Sequence, residues 1–332
     1  MTTISLPNWA DATEAVKNAQ TILVVSHVSP DGDAVGSLLS TANMLTDMNK
    51  TVMAVLDDGV PDFLTFLPNA DSVVTELKEG EWDLMISVDA SDEERTGKAG
   101  IFGRENSKTV INLDHHPTNT MFGDIHLVMP EAVSATEIIF RWIETMSDYE
   151  PSLQVAMPLL AGLVTDTIGF RTSNVKSSTL AIATKLMDYG ASLTEITERT
   201  LGNRSINIIN LWSEAFTSVE VHAGGVIMAN ITQEALKKSG FKEMTDGGLV
   251  GFLNKVNEAR IAVVFKELGD NKVELSFRCK PGFDIGSVAF ELGGGGHKQA
   301  SGATVEGTLE EVRKQVLPLV KKAARKGKLI IA

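Results

Sequence analysis

Aspartate and histidine side chains gather at the ends of apolar segments in the first half of this 332-residue chain. The first such segment runs into SHVSPDGD at residues 26–33, a later one ends at Asp89, and two others end in DHH at 114–116 and TDT at 165–167. Six of these residues form a set of imidazole and carboxylate ligands without a thiolate: His27, Asp31, Asp33, Asp89, His115 and Asp166. Such donors suit Mn²⁺ or Mg²⁺ better than a structural zinc ion.

Six ligands are enough for two ions if one carboxylate bridges them. A pair of ions about 3.5–4 Å apart is a common device for in-line displacement at phosphorus, because it activates water and neutralises phosphate charge. The pattern therefore predicts hydrolysis of phosphate esters.

Each motif also has an ordinary structural interpretation. A single aspartate after a strand is usually a turn residue or a helix cap, and neighbouring histidines are common on surfaces. Three of the six histidines, however, stand beside acids at these segment ends. This joint occurrence favours a metal site.

The segments that carry these residues read as strands alternating with helices. Residues 21–26 form a β-branched apolar run that is typical of a buried strand, and residues 36–48 place apolar side chains on one helical face. Further strands are predicted at 52–56, 84–88 and 109–113, and further helices at 135–146 and 153–164. The alternation predicts an α/β fold with a doubly wound parallel sheet, whose strand ends bring distant residues to one crevice.

The pattern changes after Gly190, where β-hairpins replace the alternation. Residues 218–221 and 226–229 flank an Ala-Gly-Gly turn, and residues 260–267 and 272–279 form a second pair. We therefore predict a metal-binding domain over residues 1–190, a linker over 191–215 and a smaller mixed α+β domain over 216–332.

A run of four glycines, Gly293, Gly294, Gly295 and Gly296, precedes His297. Such a run leaves backbone N–H groups open to an anion, although a tight turn or hinge explains it equally well. Arg278 is predicted on the outer face of a strand, where it either binds a ligand or is a solvated charge.

The overall charge limits the partners. The chain has 30 Lys and Arg against 43 Asp and Glu, a formal charge of −13, which disfavours long duplex DNA. Its single cysteine, Cys279, excludes an intrachain disulfide and favours a reducing compartment. Neither a secretory signal nor an apolar run long enough for a membrane is present, so we expect a cytoplasmic protein without a membrane partner.

The motifs together resemble those of a known family. HVSPDGDAVGS at residues 27–37, Asp89, DHH at 114–116 and TDT at 165–167 resemble the four motifs of the DHH phosphoesterases. GGGGHKQASG at 293–302 resembles the motif of their DHHA1 substrate-binding domain. Motif order and length look most like the branch of bifunctional oligoribonucleases and 3′-phosphoadenosine-5′-phosphate (pAp) phosphatases.

The resemblance implies two divalent cations, Mn²⁺ in first place and Mg²⁺ or Co²⁺ as alternatives. Its first ion would be held by His27, Asp31 and Asp89. Its second ion would be held by Asp33, Asp89, His115 and Asp166, so that Asp89 bridges the pair.

The resemblance also implies roles for residues around the ions. His116 would act as an acid or an orienting donor beside the reacting phosphate, and Asp114 would hold His115 in its tautomer. The family positions expected to bind substrate are Arg278, Gly293, Gly294, Gly295, Gly296, His297, Ser134 and Arg171. In the family strand a serine often follows the arginine, whereas Cys279 stands here.

The expected activity is hydrolysis of short oligoribonucleotides to mononucleotides, of pAp to AMP, or of both. A phosphodiesterase for cyclic di-AMP or linear dinucleotides is an alternative, and a nucleotide-binding regulator without catalysis is another. The regulator is disfavoured because every expected ligand is present. Family II pyrophosphatases share the metal motifs but lack the glycine-rich motif. A homodimer is left open.

Overall fold

The computed structural model describes residues 7–202, 205–242 and 245–328. The chain divides into two compact units, residues 1–203 and residues 204–332. Residues 191–215, predicted as a linker, contain helical residues on both sides of this division, at Leu193–Thr197 and Ile206–Phe216. In the described part of the chain, none of the helices is both long and apolar enough to cross a bilayer.

The first unit is built on five parallel strands in the order β2-β1-β3-β4-β5. The strands are β1 (Thr21–Val25), β2 (Thr51–Val55), β3 (Leu84–Val88), β4 (Val110–Asp114) and β5 (Ile125–Val128). This confirms the predicted doubly wound sheet and adds β5, a short edge strand that the sequence pattern did not reveal. The strand order reverses between β1 and β3, which is where ligands bind in folds of this kind.

Helices cover both faces of this sheet. They are α1 (Trp9–Asn18), α2 (Gly32–Asp47), α3 (Gly97–Glu105), α4 (Ala135–Glu144), α5 (Leu153–Asp166), α6 (Ser177–Asp188) and α7 (Leu193–Thr197). Short 3₁₀ turns lie at Asp62–Leu64, Ala70–Ser72 and Glu94–Thr96, and a π turn at Glu198–Gly202. Strands β3 and β4 are buried along their whole length, which explains why they read as continuous apolar runs.

The close packing of α2 against α5 depends on two glycines. A Cβ added at Gly36 would lie 2.5 Å from the carbonyl oxygen of Pro158, and one added at Gly162 would lie 2.8 Å from Asp33 Oδ1. Because α2 carries Asp33 near its start and α5 carries Asp166 at its end, this contact sets the distance between two predicted ligands.

The second unit contains a mixed six-stranded sheet in the order β10-β11-β9-β8-β7-β6. The strands are β6 (Glu220–His222), β7 (Val226–Ile231), β8 (Ile261–Leu268), β9 (Lys272–Cys279), β10 (Gly295–Gly296) and β11 (Ala300–Glu306). Only β7 and β8 pair in parallel among these described strands. Both predicted hairpins are present.

The helices of the second unit lie on both faces of its sheet. They are α8 (Ile206–Phe216), α9 (Gln233–Ser239), α10 (Leu249–Leu253), α11 (Gly286–Glu291) and α12 (Leu309–Lys326). Helix α12 packs on one face and α8, α9 and α10 on the other, so the sheet separates two apolar clusters. Helix α12 begins with the predicted capping box between Thr308 and Glu311.

We predict that Gly36→Ala destabilises the first unit by about 1–3 kcal/mol, because the new methyl group overlaps the backbone of α5. Denaturant unfolding measures this loss. Gly251→Ala in α10 is the matched control, since its added Cβ meets no atom within 4 Å. If the two substitutions destabilise the protein equally, the α2–α5 contact is not as tight as the structure indicates.

Candidate metal centre

The six predicted ligands meet at the carboxyl ends of β1, β3 and β4. Together with His116 they form three overlapping groups, each with its ligand atoms within 4.8 Å of one another: Asp89 with His115 and His116, His27 with Asp31 and Asp89, and Asp33 with His115 and Asp166. The loop after β1 supplies His27, and the start of α2 supplies Asp33. The predicted convergence of sequence-distant residues at the strand ends is therefore seen in the structure.

Asp89 stands between His27 and His115, the two histidines predicted as ligands. Its Oδ2 lies 3.6 Å from His27 Nε2, and its Oδ1 lies 3.4 Å from His115 Nε2. Asp31 Oδ1 lies 4.0 Å from His27 Nε2 on one side. On the other side, His115 Nε2 is 3.8 Å from both Asp33 Oδ2 and Asp166 Oδ2. Each oxygen of Asp89 thus faces a different set of ligands, which is the arrangement a bridging carboxylate needs.

The backbone of Asp89 is unusual. Its φ is 55°, in the left-handed region that non-glycine residues rarely adopt, and its N–H donates to the carbonyl of Leu113 at 2.9 Å. Strained backbone of this kind persists where the surrounding structure holds it, and it is concentrated at functional sites. Here the left-handed backbone directs the Asp89 carboxylate, at the end of β3, toward the centre of the cluster.

His27 is oriented by its own loop. The Nδ1–H donates to the carbonyl oxygen of Val28 at 2.8 Å, which leaves the Nε2 lone pair for a metal ion. This is the second contact that metal-binding histidines generally make.

Asp33 is held by the first turn of α4. Its Oδ2 accepts a hydrogen bond from Ala135 N at 2.6 Å, and its Oδ1 accepts from the backbone N and the hydroxyl of Thr136 at 3.1 and 2.9 Å. A helix N-terminus offers such unpaired N–H groups and favours negative charge. Asp33 is 1% exposed, so its direction is fixed by these donors.

Ser134 is the cap of that helix. It is fully buried, and its hydroxyl accepts from Glu137 N at 3.1 Å and lies 2.8 Å from the Thr136 hydroxyl. Ser134 thus supports the helix end that holds Asp33, and its contact with substrate stays a prediction.

Asp31 can be both a helix cap and a metal ligand, which the sequence analysis treated as alternatives. Its Oδ1 caps α2 by accepting from Asp33 N and Ala34 N, both at 3.0 Å. The same side chain also belongs to the ligand group with His27 and Asp89. A capping role and a metal-binding role are compatible because an ionised carboxylate offers about four lone-pair sites.

Burial and mutual repulsion raise the pKa of two of the aspartates. For Asp33, burial followed by the charges of Asp89 and Asp166 places the carboxyl pKa well above its usual range. For Asp166, burial raises the pKa to about 6, against the opposing attraction of His115. Ionised carboxylates are thus too crowded here unless a positive charge accompanies them.

The histidines respond in the opposite sense. Burial lowers the pKa of His115, but its contact with Asp89 at 3.4 Å and the charges of Asp33 and Asp89 outweigh it and raise the pKa to about 10. Burial also raises the pKa of Asp89, yet His115 and His27 overcome this and lower it to about 2. In this buried cluster the raised pKa of His115 favours a bound proton, whose positive charge balances the carboxylates as a metal cation would.

The residues present fit a divalent metal centre. Asp89 Oδ1 is a buried oxygen without a hydrogen-bond partner among the described residues, and buried carboxylate oxygens are costly unless paired or bound to a metal. Carboxylates and imidazoles also match the donors preferred by Mn²⁺ and Mg²⁺.

His116 differs from the two ligand histidines. Its Nδ1–H donates to Asp114 Oδ1 at 2.7 Å, and this hydrogen bond raises the pKa of His116. The expectation that Asp114 holds His115 is therefore corrected: the hydrogen bond goes to the next histidine. His115 turns its Nε2 toward the acids, whereas His116 presents Nδ1 to the buried carboxylate of Asp114.

Asn119 completes this arrangement and was not identified from the sequence. Its Nδ2 donates to Asp114 Oδ2 at 2.7 Å, and its Oδ1 accepts from Met121 N at 2.7 Å. Both oxygens of Asp114 are thus engaged, one by His116 and one by Asn119. An asparagine three residues after DHH is indistinguishable from a turn residue in sequence, since only the fold brings it back to Asp114.

Comparison with known proteins gives the family. Residues 21–165 match the model of the DHH family N-terminal domain, and residues 223–326 match the DHHA1 domain. A relative from Thermus thermophilus is 32% identical over 304 residues, covering 90% of this chain and 89% of the relative. This chain belongs to the DHH family. The resemblance seen in the motifs is confirmed.

Two relatives of this DHH chain carry the same name. Both the Thermus thermophilus protein and a Bacillus subtilis protein, 31% identical over 86% of this chain and 89% of its own length, are named bifunctional oligoribonuclease and PAP phosphatase NrnA. The crystal structure of an exopolyphosphatase-related protein from Bacteroides fragilis superposes with a TM-score of 0.86 at 25% identity, covering 96% of this chain and 95% of that chain.

The DHHA1 glycine run forms a tight hairpin. The N–H groups of Gly293 and Gly294 donate to the carbonyls of Phe290 and Ala289 at 3.0 and 2.8 Å, so neither is left for an anion. A Cβ at Gly294 would lie 2.1 Å from the carbonyl oxygen of Gly302 in β11. The turn interpretation therefore explains the first two glycines, while Gly295 and Gly296 pair with β11 and remain exposed.

Of the other residues expected to bind substrate, Arg171 lies in the first unit, and Arg278 and His297 lie in the second. Arg278 in β9 is half-buried, and its Nη1 donates to the carbonyl of Phe277 at 2.9 Å. Arg171 follows α5, is exposed, and donates from Nε to the carbonyl of Ile168 at 2.6 Å. His297 is exposed beside the glycine hairpin. Substrate binding by these three stays a prediction.

We predict that the metal-free DHH protein is more stable at pH 6 than at pH 8. The raised pKa of Asp166, about 6, gives stability that is full below its unfolded pKa of about 3.9 and is lost as the pH rises through about 6. The raised pKa of His115, about 10, gives stability that is full below its unfolded pKa of about 6.5 and is lost as the pH rises toward 10. Thermal unfolding in chelator measures the difference.

Asp166→Asn should raise the melting temperature in chelator at pH 8 by a few degrees, since about 1 kcal/mol shifts it by about 2–4 °C in a unit of this size. The same substitution should lower stability relative to the wild type when Mn²⁺ is in excess. Asp62→Asn, at an exposed carboxylate, is the control. If Asp166→Asn destabilises the protein equally with and without metal, the crowding of carboxylates is not the cause.

Proposed function

We propose that this chain is a two-metal phosphoesterase that hydrolyses short oligoribonucleotides to mononucleotides and pAp to AMP. The observation that carries this proposal is the position of Asp89, whose two oxygens face two separate sets of ligands. The names of its relatives from Thermus thermophilus and Bacillus subtilis supply the substrate class. An acidic chain suits short substrates because it offers little attraction to a long polyanion.

We assign the ions to the two ligand sets on either side of Asp89, with Mn²⁺ proposed first and Mg²⁺ or Co²⁺ as alternatives. One set is His27, Asp31 and Asp89, and the other is Asp33, Asp89, His115 and Asp166. When bound, the ions supply an activated water and neutralise charge on the phosphate.

His116 is the residue we propose as proton donor to the leaving oxygen. It is one-third exposed and its ring centroid lies 4.6 Å from that of His115, so it borders the metal centre without being buried in it. The hydrogen bond to Asp114 fixes the proton on Nδ1 and raises the pKa of His116, so it favours the protonated form of the ring. A positioned acid of this kind contributes about 10²–10⁴-fold to a rate.

We further propose that the second unit contributes to substrate binding through Arg278 and His297. Support comes from the DHHA1 match over residues 223–326 and from the exposure of His297. A guanidinium is suited to phosphate because its planar fork donates two parallel hydrogen bonds.

The direct test is product analysis with Mn²⁺ and a substrate panel of pAp, the dinucleotide pApA, a 20-mer RNA and cyclic di-AMP. We expect hydrolysis of the first two, little of the 20-mer, and loss of activity in chelator. Predominant cleavage of cyclic di-AMP would replace the substrate assignment and leave the metal centre intact. Nucleotide binding without turnover, in protein that holds metal, would indicate a regulator.

Asp89→Asn is the sharpest variant for the metal centre, because it keeps the shape of the side chain and asparagine tolerates the left-handed backbone. We expect a loss of turnover of more than 10³-fold, together with weaker Mn²⁺ binding by calorimetry. Asp62→Asn is again the control. Near-normal turnover in Asp89→Asn would sink the bridging role.

Asp114→Asn separates the two histidines of the DHH motif. Because Asp114 bonds His116 and not His115, the variant should keep its Mn²⁺ affinity within about threefold while kcat falls about 10–100-fold, as for other residues that orient an acid. The kcat should also lose its dependence on the His116 proton in the pH profile. A large loss of Mn²⁺ affinity would instead show that Asp114 supports a ligand.

A further inference from the structure

Arg95 lies at the edge of the metal centre and has no part in the roles described above. It belongs to the 3₁₀ turn Glu94–Thr96 that follows the Asp89 loop, and its side chain is exposed. Its Nη2 is 3.4 Å from His27 Nδ1.

The contact with His27 does not use the donors of the guanidinium. His27 Nδ1 carries the hydrogen that bonds to the carbonyl of Val28, so Arg95 and Nδ1 are both donors. Within the described residues, the guanidinium forms no ion pair with a carboxylate, and its charge acts on Asp92 only from beyond ion-pair distance. Other arginines of the first unit do form such pairs, for example Arg104 with Glu93 at 3.1 Å.

The backbone of Arg95, in contrast, is firmly held. Its carbonyl accepts from Val28 N at 2.8 Å, and its N–H donates to Asp92 Oδ1 at 2.9 Å. Asp57 accepts from the N–H groups of Lys98 and Ala99 and fixes the start of the next helix. A fixed backbone with a free guanidinium suits a ligand-binding arginine, because only the side chain, and not the loop, has to be ordered on binding.

The direction of the contact shows which part of a substrate Arg95 can reach. Nδ1 is on the edge of the His27 ring that faces away from Nε2, and Nε2 faces Asp31 and Asp89. Arg95 is therefore outside the ligand cluster, on its His27 side. The guanidinium of Arg95 is therefore placed to contact a neighbouring phosphate of the same substrate molecule and not the phosphate that reacts among the ligands.

We propose that Arg95 binds the substrate phosphate next to the one that is hydrolysed, and so selects substrates with two or more phosphate groups. This inference rests on the proposed function. Charge-assisted hydrogen bonds from a guanidinium fork fit phosphate oxygens, which explains why the donors of Arg95 are unused in the protein alone.

A structural role for Arg95 makes a different prediction. If the guanidinium served only to hold His27, its removal would weaken metal binding and slow the hydrolysis of every substrate alike. If it binds a second phosphate, its removal affects substrates according to their phosphates and leaves metal binding as it was.

The test compares Arg95→Gln and Arg95→Lys with the wild type on pAp, pApA and 3′-AMP, which has a single phosphate. We expect Arg95→Gln to raise KM for pAp and pApA at least tenfold and to lower the kcat/KM ratio of pAp to 3′-AMP at least tenfold. Arg95→Lys should recover part of both, since it keeps the charge without the fork. Lys98→Gln, an equal loss of charge at an exposed residue three positions away, should change neither by more than twofold.

Mn²⁺ affinity, measured by electron paramagnetic resonance of the free ion, is the readout that does not depend on turnover, and it should be unchanged in Arg95→Gln. A fall in Mn²⁺ affinity, or an equal loss on all three substrates, would overturn the inference in favour of the structural role. Failure of the wild type on both pAp and pApA would instead overturn the proposed function, and this inference with it.

Discussion

The carboxylate of Asp89, shared between His27 and His115, is the interaction on which the rest of the site depends. One oxygen faces each histidine at 3.4–3.6 Å, so the residue links two ligand sets that come from different parts of the chain. This requires a strand between β1 and β4 whose end turns sharply inward, and β3 with the left-handed Asp89 meets both conditions. Moving Asp89 along the strand by one residue would turn its side chain to the other face of the sheet.

The surrounding helices make a buried group of aspartates tolerable. The first turn of α4 donates three hydrogen bonds to Asp33, and Ser134 in turn caps that helix. The glycines of α2 and α5 bring Asp33 and Asp166 to the same side of His115. The cluster still carries an excess of negative charge, which raises the pKa of both aspartates. A divalent cation would neutralise this excess better than a single proton does.

The three residues of the DHH motif divide the work of the site. His115 points into the acidic cluster, whereas His116 is tied to Asp114, whose other oxygen is held by Asn119. Adjacent residues at the end of a strand point in opposite directions, which is why two neighbouring histidines serve different purposes. Beside the Nδ1 edge of His27, Arg95 has a fixed backbone and a guanidinium that forms no ion pair with a carboxylate among the described residues.

The sequence alone determined the set of side chains available to the candidate metal centre and most of the secondary structure, because residue types and apolar periodicity are local properties. His27, Asp89 and His115 were identified from their positions after strands, and both hairpins of the second unit from their turns. Only the tertiary structure decided which histidine Asp114 holds, that Ser134 is a buried cap, that Asn119 contacts Asp114 and that Arg95 lies beside His27. These depend on side-chain direction and on contacts between distant segments, about which spacing along one chain carries no information.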